Sequence, residues 1–279
     1  MSSHPIEIIL EPGRSEAHYW RDLWRYRELF YFLAWRDVLV RYKQTTIGIV
    51  WAILRPLMTM LIFTIVFGRI ANLPSEGIPY PLLVTAAMLP WQFFANSLAE
   101  SGNSLVSNAN LITKVYFPRI ILPASSVIVA FFDFLITMAI LAAMMVWYQY
   151  APSWKLLTLP LFTVLAFLSA MGPGLFLTAL TVKYRDFRYI TPFIVQFGAY
   201  ISPVGFSSTT ISEKFGETAR LIYSLNPVVG VIDGFRWAIG AKVGLHPIGF
   251  PLSLAFSIIL LWQGIRYFRA TEKSFADVI

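Results

Sequence analysis

The chain has 279 residues, 57% of them hydrophobic and 13% charged, with a mean hydropathy of +0.64. A water-soluble domain carries about 25% charged residues, so disorder, a coiled coil and an ordinary soluble enzyme are excluded, and lipid is read as the main solvent. There is no cysteine, hence no disulfide framework, thiol nucleophile or Cys-based zinc site. His4, His18 and His246 are too far apart in sequence to form a local metal motif.

Residues 1–18 read as a loose polar lead. From Trp20 to Val38 a helical wheel gathers Trp20, Leu23, Trp24, Phe30, Tyr31, Ala34, Trp35 and Val38 on one face. Arg21, Arg25, Glu28 and Arg36 lie opposite, with Arg27 as the exception. A basic, Trp-rich amphipathic helix of this kind is expected to lie in the membrane interface. The segment before Arg41 is too charged for a secretory signal, and no removed leader is expected.

A crossing helix needs about 20 mainly apolar residues. Reading between charges predicts six spans: Ile47–Gly68, Pro79–Ala99, Ile120–Tyr148, Leu156–Val182, Tyr189–Ile211 and Ile248–Ile265. Only Arg55 and Asp133 are charged within them. Arg55 is near enough to the first span's start to snorkel, and Asp133 is read as a hydrogen-bond acceptor for a neighbouring helix rather than a proton relay. With both termini inside, 16 of the 22 Lys and Arg residues are cytoplasmic, as the positive-inside rule requires. The net charge of +7 is thus an orientation signal, and no nucleic-acid partner is expected.

Between spans two and three, Ser104–Arg119 predicts a short cytoplasmic helix, capped by Asn108 or Asn110 and ended by Pro118. The long outer segment Ser207–Pro247 has an apolar middle, Leu221–Ile239, broken by Asn226-Pro227, Asp233 and Arg236. It is too short and too broken to span, and two short re-entrant helices covered by protein are expected there. No phosphate loop, HExxH, GxSxG or paired intramembrane carboxylates occur. If the chain transports something, the energy comes from another subunit. Its 45 aromatic residues include belt positions Trp51, Trp91, Trp147, Tyr148, Trp154, Trp237 and Trp262. The surplus would suit a passage in which rings meet sugar faces.

Four groups of residues in the expected loops carry a family resemblance. They are Arg36-Asp37, Arg41-Tyr42-Lys43, Gly48, Trp51 and Pro56 before and within the first span; Lys114-Val115-Tyr116-Phe117-Pro118-Arg119 with Leu122-Pro123; Val182-Lys183-Tyr184-Arg185-Asp186 with Pro192; and Asn226-Pro227 with Gly234-Phe235-Arg236. In this order the chain resembles the permease subunit of type-2 ATP-binding-cassette exporters for cell-surface polysaccharides (O-antigen, capsule and teichoic acid). The resemblance implies an all-α integral membrane protein of the ABC-2 type transporter fold. Residues 1–45 would be the cytoplasmic lead and interface helix, 46–266 the six-span domain with its re-entrant part at 207–247, and 267–279 a cytoplasmic tail. It implies a homodimeric channel in a bacterial inner membrane, two ATP-binding-cassette ATPase subunits, and a lipid-linked polysaccharide substrate, most closely O-antigen. ATP and magnesium would be held by the ATPase partner, with no cofactor, metal or catalytic residue in this chain.

Under this resemblance Arg21, Arg25, Asn108, Asn110, Leu111, Lys114, Tyr116 and Phe117 would couple to the ATPase. Arg27, Arg36, Asp37, Arg41, Lys43, Tyr184, Arg185 and Asp186 would receive the lipid diphosphate, and Asn226, Pro227, Asp233 and Arg236 would form an outer gate. Arginine geometry suits bidentate phosphate contact at Arg25, Arg27, Arg36 and Arg41. The competing readings are an exporter of drugs or lipids, a membrane-embedded enzyme and a scaffolding subunit. They are countered by the loop motifs, the missing acid and histidine clusters, and the broken outer segment.

Overall fold

In lipid a chain must satisfy its backbone polar groups internally, which leaves a sequence this apolar little choice but helix. The structure, a computed structural model, describes residues 16–43, 48–151, 153–242 and 244–275, and these contain helices and turns but no strand. Residues 1–15 of the expected lead and the start of the first expected span at Ile47 fall outside the described residues, and the lead's last three residues open the first helix. The helices run α1 Glu16–Arg25, α2 Arg27–Lys43, α3 Gly48–Phe63, α4 Tyr80–Ser107, α5 Ala109–Lys114 and α6 Ile121–Trp147. They continue as α7 Leu159–Lys183, α8 Phe187–Ile201, α9 Thr209–Phe215, α10 Glu217–Tyr223, α11 Pro227–Ala238 and α12 Gly249–Thr271.

Five segments are long and apolar enough to cross a membrane: Val50–Ile70, which is α3 prolonged by a π-helical stretch, then α4, α6, Trp154–Lys183 and Gly249–Ser274. The fifth expected span, Tyr189–Ile211, is not one helix. α8 has 15 residues, about 22 Å of rise. It stops where Ser202 precedes Pro203 and turns extended (φ −77°, ψ 153°), as the proline ring demands of the residue before it. The described residues therefore give five helices of crossing length and a shorter α8. α4 runs past its expected end at Ala99 because Glu100, read as a stop, is paired to Arg41. The outer segment holds three short helices rather than two, with Gly216 (φ 85°) separating α9 from α10.

The expected interface helix is divided at Tyr26 into α1 and α2, though backbone bonds Tyr26 to Asp22 and Phe30 to Tyr26 bridge the division. Its faces also differ from the wheel. Leu33, Ala34 and Val38 are buried, whereas Trp20, Trp24, Tyr31, Phe32 and Trp35 are exposed. α2 lies along α6 and uses its smaller apolar residues for that contact, which turns the large rings outward.

α4 packs against α6 and α7, and α7 against α12. Between lipid-immersed helices close packing replaces the hydrophobic effect as the cohesive force. α7 and α12 achieve it at Gly172 and Gly264: a Cβ on Gly172 would lie 2.5 Å from the backbone nitrogen of Leu261, and one on Gly264 would strike the Gly172 carbonyl. One end of the bundle carries α1, α2, α5 and the C-terminal end of α12, knitted by Leu33, Leu105, Ile112, Phe117, Ile121 and Phe268. At the other end α11 is sunk among α4, α7 and α12.

Candidate functional site

The short helix α5 follows α4 after Asn108. Asn108 occupies the N-cap position without a side-chain cap. Its amide instead donates to the Ser104 carbonyl (2.9 Å), and its side-chain oxygen accepts from Arg36 (3.1 Å). Asn110 lies inside the helix and is exposed. α5 ends at Lys114, where Val115 becomes extended, four residues before Pro118. Of the expected coupling residues, Asn110, Lys114 and Tyr116 are exposed, as are Arg21 and Arg25 on α1. Leu111 is half-buried, and Phe117 is buried as the anchor of the connector. A cavity of about 290 Å³ opens in the crook of this connector, lined by residues 112–117 and Arg119.

The connector's far end is tied to the C-terminal end of α12. The Arg119 backbone nitrogen donates to a Glu272 carboxylate oxygen (2.7 Å), and the Arg119 guanidinium donates to the Glu272 carbonyl. The Arg269 guanidinium lies 4.3 Å above the Tyr19 ring. Burial, reinforced by Glu272, pushes the Tyr19 phenol well above its ordinary range. The connector, α1 and the end of α12 therefore form one joined surface.

The expected phosphate-binding residues divide into two groups. Arg36 is paired with Asp37 (2.7 Å) and hydrogen-bonded to Asn108. Arg41 donates to Asp133 (2.8 Å) on α6 and to Glu100 on α4. The Tyr42 hydroxyl donates to the other Asp133 oxygen, and the Asn96 amide lies 3.4 Å from the first. Burial and its bond to Asp133 raise the Tyr42 phenol above its ordinary value. Arg41 is thus engaged by carboxylates within its own chain, and Asp133 is not isolated. Arg27 is exposed and stacks over Trp24 at 5.8 Å, and Lys43, Tyr184, Arg185 and Asp186 are also exposed. Glu100 and Asn96 were missed because neither stands out until α2 folds back over α4 and α6.

The exposed Lys183–Asp186 turn leads into α8, which presents a ladder of rings. Tyr189, Phe193, Phe197 and Tyr200 are all more than half exposed, and Phe193 stacks on Phe197 (6.4 Å, 13°). Tyr200 stacks on Phe63 of α3 (6.4 Å, 16°), so α3 and α8 form one continuous face. On α3, Val50, Trp51, Met58, Leu61 and Ile62 are exposed as well. The 3.6-residue spacing of the α8 rings was present in the sequence, but which face they occupied depended on the packing of α4.

In the outer segment, Asn226 caps α11 by accepting from Val228 (3.1 Å) and donates to Ser202 (3.1 Å), with Pro227 opening the helix. Arg236 is fully buried, donating to the carbonyls of Val204 (2.9 Å), Phe206 (2.7 Å) and Leu83 (3.3 Å). Asp233 accepts from Ser208 (2.7 Å). Asn226, Asp233 and Arg236 thus hold the non-helical stretch 202–208 that breaks α8 from α9. Asp233 and Arg236 do so from buried positions.

A family model described as ABC-2 type transporter matches residues 28–239. The O-antigen export system permease protein RfbA of Myxococcus xanthus is 27% identical over 264 residues, covering 93% of this chain and 98% of that protein. Two proteins of the same name from Klebsiella pneumoniae are 28% and 26% identical, each over 88% of this chain and 92% of the relative.

Proposed function

Because the chain belongs to the ABC-2 type transporter family, we propose that it is the membrane subunit of an ATP-driven exporter of a lipid-linked cell-surface polysaccharide, O-antigen foremost. Two copies would form the passage in a bacterial inner membrane with both termini cytoplasmic, and two ATP-binding-cassette ATPase subunits would hold ATP and magnesium. The observation that carries this reading is the uncovered α3–α8 face with its ladder of Tyr189, Phe193, Phe197 and Tyr200. Flat rings with polar tips suit the apolar faces and hydroxyls of sugars, and an uncovered apolar face invites a second copy.

The likeness to named O-antigen permeases over almost their full length supports the same substrate class. Asn110, Lys114 and Tyr116, with Arg21 and Arg25, would meet the ATPase, while buried Phe117 and Leu111 fix the connector's angle. Arg27, Lys43 and Arg185 are exposed where a lipid diphosphate would approach, and Arg36 and Arg41 support that surface from within. The segment 202–208, stapled by Arg236, would be the hinge of the outer gate.

ATP hydrolysis in a complex of this chain with its ATPase, reconstituted in vesicles, is expected to rise when a lipid-linked O-antigen is supplied. F193A/F197A is expected to lower glycan transport about tenfold while membrane insertion is normal, in line with stacking worth about 0.5–1.5 kcal/mol per ring. Failure to recruit any ATPase would overturn the reading, and stimulation by a drug or free lipid alone would reassign the substrate.

A further inference from the structure

Arg41 lies in the last turn of α2, just before the chain leaves the interface helix for the first span. One guanidinium nitrogen meets Asp133 on α6 and another meets Glu100 on α4. Tyr42, the next residue, closes over the second Asp133 oxygen, and Asn96 completes the group from α4. Charges inside a span are costly and persist when paired or functional. A planar fork can hold two carboxylates on two helices, which a lysine's point charge cannot do with fixed geometry. The apolar seam of Leu33, Ala34 and Val38 already fastens α2 to α6. The ion pairs therefore add a specific anchorage at the very end of the helix.

From this geometry we propose that Asp133 is a positioning residue for transport. With Arg41 and Glu100 it locks the end of the interface helix to α4 and α6, so that displacement of α1, α2 and α5 by the ATPase is delivered to the helices that carry the core. The lock rests on the ATP-driven reading above. It makes the cytoplasmic helices and the α4–α6 pair, against which α3 also packs, one rigid body. Without the lock, ATP is hydrolysed while the spans lag behind the interface helix.

The test uses the full complex in vesicles and compares glycan export with ATP hydrolysis. The native complex must first bind its ATPase and export glycan; if it does neither, the proposed function fails before the lock is probed. D133N removes the charge and keeps the shape. It is expected to lower export per ATP by about fivefold or more, a modest coupling effect, with hydrolysis within about twofold of native. Unchanged export, or export and hydrolysis falling in proportion, overturns the lock.

The chain has no native cysteine, so R41C/D133C can be bridged by a short bifunctional thiol reagent. Bridging is expected to restore export per ATP, and complete bridging without recovery overturns the proposal. If D133N does not accumulate, Y42F removes one hydrogen bond and leaves both ion pairs. A fall in export at constant hydrolysis then supports the lock, and a proportional fall of both overturns it.

Discussion

Arg236 shows how one residue decides the shape of a segment. Its fork is fully buried and donates to the carbonyls of Leu83, Val204 and Phe206. Those last two carbonyls belong to the stretch after Pro203, where no helix offers them partners. Each buried polar group left unpaired costs about 1–3 kcal/mol. R236M is therefore expected to lose about 3 kcal/mol or more, read as a lowered thermal midpoint of the detergent-solubilised protein. R236K keeps the charge but not the fork, and should fall between native and R236M. Equal midpoints for all three proteins would show that the carbonyls find other donors. The sequence drew attention to Arg236 because it interrupts an apolar run, and the family resemblance implied a place in an outer gate. The interruption identified an important side chain but not its burial, which depends on α4 and α11 meeting around it. Arg41 and Asp133 tell a similar story: two charges 92 positions apart were each visible in the sequence, and nothing local related them.

Among the elements, those with long uninterrupted apolar runs were legible, and α6 falls within a residue of its expected limits. The errors share a cause, which is that charge alone was used as a stop signal. Glu100 did not end α4, because a partner neutralises it, whereas uncharged Pro203 did end α8. The pairing of α7 with α12 carried a weaker signal still, two glycines in separate helices. There the absence of side chains lets backbones touch, and backbone cannot yield as a flexible side chain can. G172L places its Cβ 2.5 Å from the Leu261 nitrogen, so α7 and α12 must part. Overpacking costs about 1–3 kcal/mol where neighbours can adjust, and this site cannot adjust. We expect G172L to lower both membrane accumulation and thermal midpoint. G244A, whose Cβ would meet nothing within 4 Å, is expected to change neither.

For the whole molecule, the distribution of burial is uneven in a telling way. The most apolar 18-residue stretch of Val50–Ile70 is only 6% buried, whereas that of Tyr80–Ser107 is 83% buried. Lipid alone would tolerate the bare α3, but α3 meets the ring ladder of α8 at Tyr200, and under the proposed function a ladder meant for sugar would serve no purpose facing acyl chains. The second copy proposed above would resolve this, because two such faces opposed across a two-fold axis would enclose the rings. An axis of that kind brings a residue close to its own twin, and the chain lacks cysteine, so the arrangement can be mapped cleanly. Single cysteines at Trp51, Met58, Leu61 and Ile62, treated in native membranes with a short bismaleimide, are expected to give crosslinked dimers. Yields should rise and fall with the turn of α3, about 3.6 residues. Cysteine at Ile259, which is equally apolar and 47% exposed on α12, is expected to give none. Strong crosslinking at Ile259 with none along α3 would place the seam on the opposite side and leave the α8 ladder facing lipid.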